Sequence, residues 1–229
     1  MTKEDLNNGQ MLLLDKEVSW TSFDVVNKLR GNLPVKKVGH AGTLDPLATG
    51  LLIICTGKMT KQIDSFQGLI KEYTGIITLG AITPSYDLET EISKTYDTST
   101  IDEESINKAA KAFIGWQEQI APAYSAVKQG GKKNYERARR GEVVPEKKRW
   151  IQINEFEITK VEMPDVHFRI VCSKGTYIRS IAFDFGRYLQ NGGYLKKLRR
   201  TKIGDYSVED AKPVKELLAE IKEQINASS

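Results

Sequence analysis

VGHAGTLDPLATGLLIICTG, residues 38–57, is the segment from which the rest of this chain can be read. It opens on Gly39, Ala41 and Gly42 around His40, small residues that let backbone pass close to a bulky neighbour. Asp45 then precedes Pro46, and a residue before proline is pushed out of the helical region into an extended or turn conformation. A second turn at Ala48, Thr49 and Gly50 leads into five apolar residues, 51–55, which predict a buried strand. A lone carboxylate is thereby set on a turn anchored by a core strand, five residues after a histidine. Functional groups are presented on loops fixed by a scaffold in this way, although Asp-Pro by itself signals only a turn.

The 229 residues, 40% hydrophobic and 28% charged, suit a folded chain of one large or two small domains. With no linker, repeat or low-complexity tract, the expectation is a single domain over 1–229. Cys55 and Cys172 lie in apolar, strand-like runs and read as buried thiols. Two histidines and two cysteines, widely spaced, cannot supply a zinc site of the usual pattern, and no metal is expected. No apolar run approaches membrane-spanning length and the polar N-terminus lacks a signal-peptide core, so the expectation is a cytoplasmic protein without membrane contact. The net charge of +4 conceals an asymmetry: residues 128–149 hold nine Lys/Arg against three Glu. A second basic cluster, Lys196, Lys197, Arg199, Arg200 and Lys202, contains no acid, whereas residues 84–104 hold seven acids against Lys94. Two basic segments with Tyr135, Tyr177 and Tyr194 among them point to a polyanionic partner; the plain alternative is a solvated face.

Strands are expected at 11–15, 71–79, 150–161 and 166–172, with one or two more in 194–206. Helices are expected from a cap at Thr21 or Ser22 to before Gly31, with Phe23, Val26 and Leu29 on one face, and at 59–66, 101–113, 177–189 and after Pro213. Residues 80–91 read as a mobile acidic loop. Residues 122–149 read as a cationic flap hinged at Gly130-Gly131 and Gly141, with a short helix around 135–140. Arg179 falls in the first turn of its helix, where the dipole disfavours a cation, and so calls for an anionic partner. Strands grouped with helices, without βαβ regularity, indicate an α+β fold.

Several familiar sites are excluded: there is no Walker loop, no G-x-S-x-G elbow and no G-x-G-x-x-G fingerprint. A carboxylate, an imidazole, two candidate tyrosines and basic surfaces remain. An ionised carboxylate can act as a covalent nucleophile without metal or cofactor, and a neighbouring arginine favours the ionised form. A glycosidase pair would need a second acid in a comparable turn, and none is present.

LLLDK, GHAGTLDPLATGLL, KEYTGIITLG, YSAVKQGGKKNYERARRG, CSKGTYIRSIAFDFG and YLKKLRRTKIG, in that order from about residue 11 to 206, closely resemble the TruB family of tRNA pseudouridine synthases. The resemblance implies the pseudouridine synthase fold, an α+β arrangement with a central mixed, mainly antiparallel sheet flanked by helices and residues 122–149 as a thumb over RNA. It makes Asp45 the catalytic nucleophile, Arg179 its ion-pair partner, and Tyr73 the residue that stacks on the target base and takes part in proton transfer. It places Tyr177 and Leu198 in the base pocket, His40 against flipped-out nucleotides, and Lys61 and Lys16 among the substrate-binding residues. The implied reaction converts uridine to pseudouridine at position 55 in the TΨC loop of tRNA, without cofactor, by a monomer that recognises the T-arm and needs no protein partner. Two departures stand out: Glu17 replaces the proline of the family's LLLDKP element, and the chain ends one helix after Pro213. Many relatives carry a further C-terminal RNA-binding domain, so weaker binding of whole tRNA is expected. Two competing readings are a non-catalytic RNA-binding module, and a metal-free nucleoside hydrolase that would release free uracil.

Overall fold

The computed structural model describes residues 1–125, 128–129, 132–138 and 140–228. In chain order come helix α1 (Lys3–Asn8), strand β1 (Met11–Lys16), helix α2 (Ser22–Asn32), strands β2 (Val38–His40) and β3 (Thr49–Thr56), a 3-10 segment (Gly57–Gln62) and helix α3 (Ile63–Gly68). Strand β4 (Lys71–Leu79) is followed by β5 (Ala81–Ile82), β6 (Lys94–Thr95), helix α4 (Glu103–Ala112), β7 (Gly115–Ile120), β8 (Lys128–Gln129), β9 (Lys132–Lys133) and helix α5 (Asn134–Ala138). The long hairpin β10 (Lys148–Glu162) and β11 (Asp165–Cys172) precedes helix α6 (Ile178–Tyr188), β12 (Gly193–Ile203), β13 (Tyr206–Ser207), β14 (Lys212–Pro213) and helix α7 (Val214–Ala227). Ten of these strands belong to one mixed sheet. The chain forms two compact units, Met1–Tyr73 with Leu198–Ser229, and Thr74–Lys197.

In the first unit the strand order is β14–β1–β3–β12, with β3 antiparallel to β1 and parallel to the end of β12. β3 is buried on both faces. Leu52 and Ile54 pack with Leu12 and Leu14 of β1, Val25, Val26 and Leu29 of α2, and Leu217, Leu218 and Ile221 of α7. Leu51, Ile53 and Cys55 face the other way, against Ile203 and Val208, with Met59, Ile63 and Phe66 beside them. A strand covered on both sides has no polar face, which is why 51–55 reads as an unbroken apolar run. Burial pushes the Cys55 thiol up to about 11. α2 opens with a capping box between Thr21 and Asp24 and continues past Gly31 to Asn32. Its inward positions are Ser22, Val25, Val26 and Leu29, so Phe23, expected inside, points to solvent at 61% exposure.

In the second unit the order is β12–β4–β11–β10–β7. β11 alternates, with Val166, Phe168, Ile170 and Cys172 buried. Phe113, Phe156 and Phe185 pack on this core with ring centres 5.4 to 6.1 Å apart. Of the alternate positions, Asp165, His167 and Arg169 are polar, and Arg169 pairs with Glu155 and Glu157. β7 is a strand that the sequence does not announce. The Gly130-Gly131 hinge and Arg139 of the expected flap lie outside the described residues.

Candidate active site

The Asp45 turn is held from several sides within the first unit. Ala41 N–H donates to Ile53 O at 2.8 Å, tying the end of β2 to β3. Arg200, 1% exposed, donates from Nη2 to Gly42 O at 3.1 Å and from Nε to Leu51 O at 2.8 Å. Ser22 Oγ accepts from Leu44 N–H at 2.9 Å and donates to Leu44 O at 3.2 Å. Ala48 N–H closes the turn on Asp45 O at 3.1 Å, and Ser19 N–H donates to Pro46 O at 2.8 Å. Every main-chain group so used removes a way for the turn to move. Gly50 has φ +103°, and a Cβ there would lie 2.3 Å from Arg200 O, so the strand that anchors the turn can approach β12 only with glycine at this position. Asp45 itself is half-buried.

Six of the eight residues singled out from the sequence belong to this unit: Asp45, His40, Tyr73, Leu198, Lys61 and Lys16. His40 ends β2 opposite Ile54, half-buried, with Nδ1 lacking a hydrogen-bond partner among the described residues. Burial and the nearby Arg200 charge hold its imidazole below the usual histidine range. Tyr73 lies on β4 at 8% exposure. Leu198 precedes the point where β12 meets β3, and its carbonyl accepts from Thr49 Oγ1 at 3.4 Å, four residues beyond Asp45. Lys61 is exposed on the 3-10 segment. Lys16, also expected among the substrate-binding residues, ends β1 beside the Asp45 turn. It is fully buried, and its ammonium donates to the carbonyls of Trp20 at 2.7 Å, Glu17 at 2.9 Å and Pro46 at 3.4 Å. These bonds make it a prop beneath the Asp45 turn. Glu17 contributes only its carbonyl there, which a proline would supply equally, so this departure is local.

Tyr177 and Arg179 belong to the second unit. Tyr177 caps α6 and Arg179, 3% exposed, sits in its first turn. The anion required beside that guanidinium is present within the unit: Asp87 Oδ2 lies 3.6 Å from Arg179 Nε, and Nη1 donates to Ser85 O at 3.1 Å. Residues 80–91 are therefore no loose acidic loop. Thr83 Oγ1 donates to Asp87 O at 2.6 Å, Ser85 Oγ meets Thr90 Oγ1 at 2.8 Å, and Tyr86 stacks on Phe183 at 4.1 Å. Asp87 and Arg200 are the site-building residues that sequence reading misses, because their burial depends on hydrogen bonds that hydropathy does not register. The basic cluster 196–202 is likewise partly internal. Arg200 is buried, Arg199 binds Asp15 through two bonds of 3.0 and 2.7 Å, and Lys196 reaches Asp165 at 2.6 Å. Among the described residues no cluster of His, Cys, Asp and Glu could hold a metal ion.

The chain matches the family described as TruB family pseudouridylate synthase (N terminal domain) over residues 30–178, a span that includes the Asp45 turn, His40, Lys61, Tyr73 and Tyr177. The chain belongs to this family. It is 54% identical to the tRNA pseudouridine synthase B of Flavobacterium johnsoniae over 218 residues, 92% of this chain and 95% of the relative. It is 51% identical to the tRNA pseudouridine synthase B of Chloroherpeton thalassium, over 93% of this chain and 91% of the relative. Among solved structures it resembles a chain of a Cbf5-Nop10-Gar1 complex, with a TM-score of 0.74 and 27% identity over 95% of this chain and 55% of the other. A chain from an H/ACA RNP bound to a substrate RNA containing 2'-deoxyuridine gives a TM-score of 0.72 at 25% identity, over 96% of this chain and 56% of the other. The TruB-family chain thus spans just over half the length of those two solved chains. The expected fold is established: a large mixed sheet flanked by helices, as in pseudouridine synthases.

Proposed function

We propose that this pseudouridine synthase acts on uridine 55 in the TΨC loop of tRNA, with Asp45 as its nucleophile. The observation that carries the reading is a single carboxylate on an immobilised turn, in a chain 54% identical over 92% of its length to a tRNA pseudouridine synthase B. The target base lies in the stack of its loop, and extruding it costs on the order of a few kcal/mol. Phosphate contacts, stacking and loop shape serve recognition of such an RNA. His40, with an unsatisfied Nδ1, would meet the flipped-out nucleotides, and Lys61 the backbone. Tyr73 would stack on the extruded uracil, with Tyr177 and Leu198 lining its pocket.

In the reaction the N1–C1′ bond breaks, the uracil turns, and C5 bonds to C1′. The hydrogen on C5 leaves as a proton and N1 gains one, so the product is an isomer and no co-reactant is consumed. A carboxylate can serve this by attacking C1′, by attacking C6, or by assisting loss of the 2′ proton. Arg179 would pair with Asp45 and orient it; within its own unit the Arg179 guanidinium is held by Asp87. The setting proposed is the cytoplasm; among the described residues no helix is long and apolar enough to cross a membrane. Mapping of modified nucleosides in unmodified tRNA after incubation with the enzyme tests the reading. Pseudouridine at position 55 alone is expected; free uracil, or modification elsewhere with position 55 untouched, would overturn it.

A further inference from the structure

Gln119 and Arg149 face each other across the β7–β10 pair. Gln119 is 3% exposed, and a carboxamide buried to that depth must have its hydrogen bonds met. Its Oε1 accepts from Tyr177 N–H at 2.8 Å and its Nε2 donates to Tyr177 O at 3.0 Å. One side chain therefore takes both main-chain groups of one residue, as a neighbouring strand would. Because the N–H can only donate and the carbonyl can only accept, the orientation of the amide is fixed by its partners. Arg149 closes on the same residue from another side. Its guanidinium carbon lies 4.8 Å from the centre of the Tyr177 ring, and Nη1 donates to Gly175 O at 3.1 Å.

These contacts are more than the attachment of α6 to the sheet. That attachment is already made by Ser180 Oγ, which donates to Ile120 O at 2.9 Å, and by the buried Ile181, Ala182 and Phe185. What Gln119 and Arg149 add is the setting of one residue, at a helix start that has no side-chain cap of its own. We propose that Gln119 and Arg149 are positioning residues for pseudouridine formation, which orient Tyr177 and, through the first turn of α6, Arg179. The inference rests on the reading of Tyr177 and Arg179 as site residues.

The test is the single-turnover rate on T-arm RNA, measured beside RNA affinity and thermal stability for the full chain. Gln119→Ala should slow the rate about ten- to hundredfold, as a small misplacement of a reacting group does, with affinity held within about threefold. Ile151→Val, a core change on β10, should lose stability without losing rate. Gln119→Glu supplies the sharper readout and keeps the test alive should the alanine variant fail to fold. Its carboxylate accepts from Tyr177 N–H but opposes Tyr177 O, and protonation restores the donor, so its rate relative to wild type should rise as pH falls. Arg149→Lys should lose rate rather than affinity. A Gln119→Ala rate within about twofold of wild type, a pH profile of Gln119→Glu parallel to wild type, or a loss of affinity alone would overturn the proposal. Wild-type inactivity on the same RNA, or an Arg179→Ala variant at full rate, would instead sink the site reading beneath it.

Discussion

Lys16 reaches the core because strand parity takes it there. Leu12, Leu14 and Lys16 alternate inward along β1, and three carbonyls receive the ammonium at the end of the row. Burial pulls its pKa down to about 8 from 10.5, against the attraction of Asp45. Between those two values the unfolded chain holds the extra proton, so the contribution of Lys16 to stability rises with pH across the window; below it the cost of burying the charge is present in full. Denaturant melts at pH 8 and pH 10 should show wild type gaining on Lys16→Met at the higher pH; a constant difference would contradict this. Gly50 makes a second prediction at the same scale. Alanine there combines φ +103° with a contact to Arg200 O, and should cost more than about 1 kcal/mol in the same melts. An unchanged midpoint would show that the turn's anchor is less constrained than its geometry requires.

Among the elements, β3 is legible because both of its faces are apolar, and α6 because Ile178, Ile181, Ala182 and Phe185 recur at helical spacing. β7 is not, since its parity inverts the hydropathy rule: Trp116 is 67% and Ile120 40% exposed, while Gln119 is buried. A reader of the sequence would place the apolar residues inside and lose the strand. The segment 80–91 fails for a related reason. Thr83, Ser85 and Asp87 are buried by bonds to main chain and to one another, and polar residues buried in that way look like a solvated loop. Asp87→Asn tests the consequence. It keeps the shape of the loop but removes the charge facing Arg179, and should cost about 1–3 kcal/mol of stability and slow pseudouridine formation while leaving RNA affinity unchanged. Parallel loss of affinity and rate would place Asp87 in RNA binding instead.

For the molecule as a whole, order along the chain carries more than charge does. The motifs from LLLDK to LRRTKIG occur in sequence, and the family they indicate is the one the chain belongs to. Charge counting is qualified in one place: of the cluster 196–202, Arg200 is buried and Arg199 and Lys196 are paired, while Lys197 and Lys202 are exposed. Of the eight residues singled out from the sequence, six fall in one compact unit and two in the other. The most direct measurement is tritium release from T-arm RNA labelled at C5 of uridine, with wild type and Asp45→Asn side by side. Wild type should release tritium and leave pseudouridine in place of uridine, while the variant binds the RNA and releases none. Release by the variant at the wild-type rate, or none by a wild type that binds the RNA, would contradict Asp45 as the nucleophile.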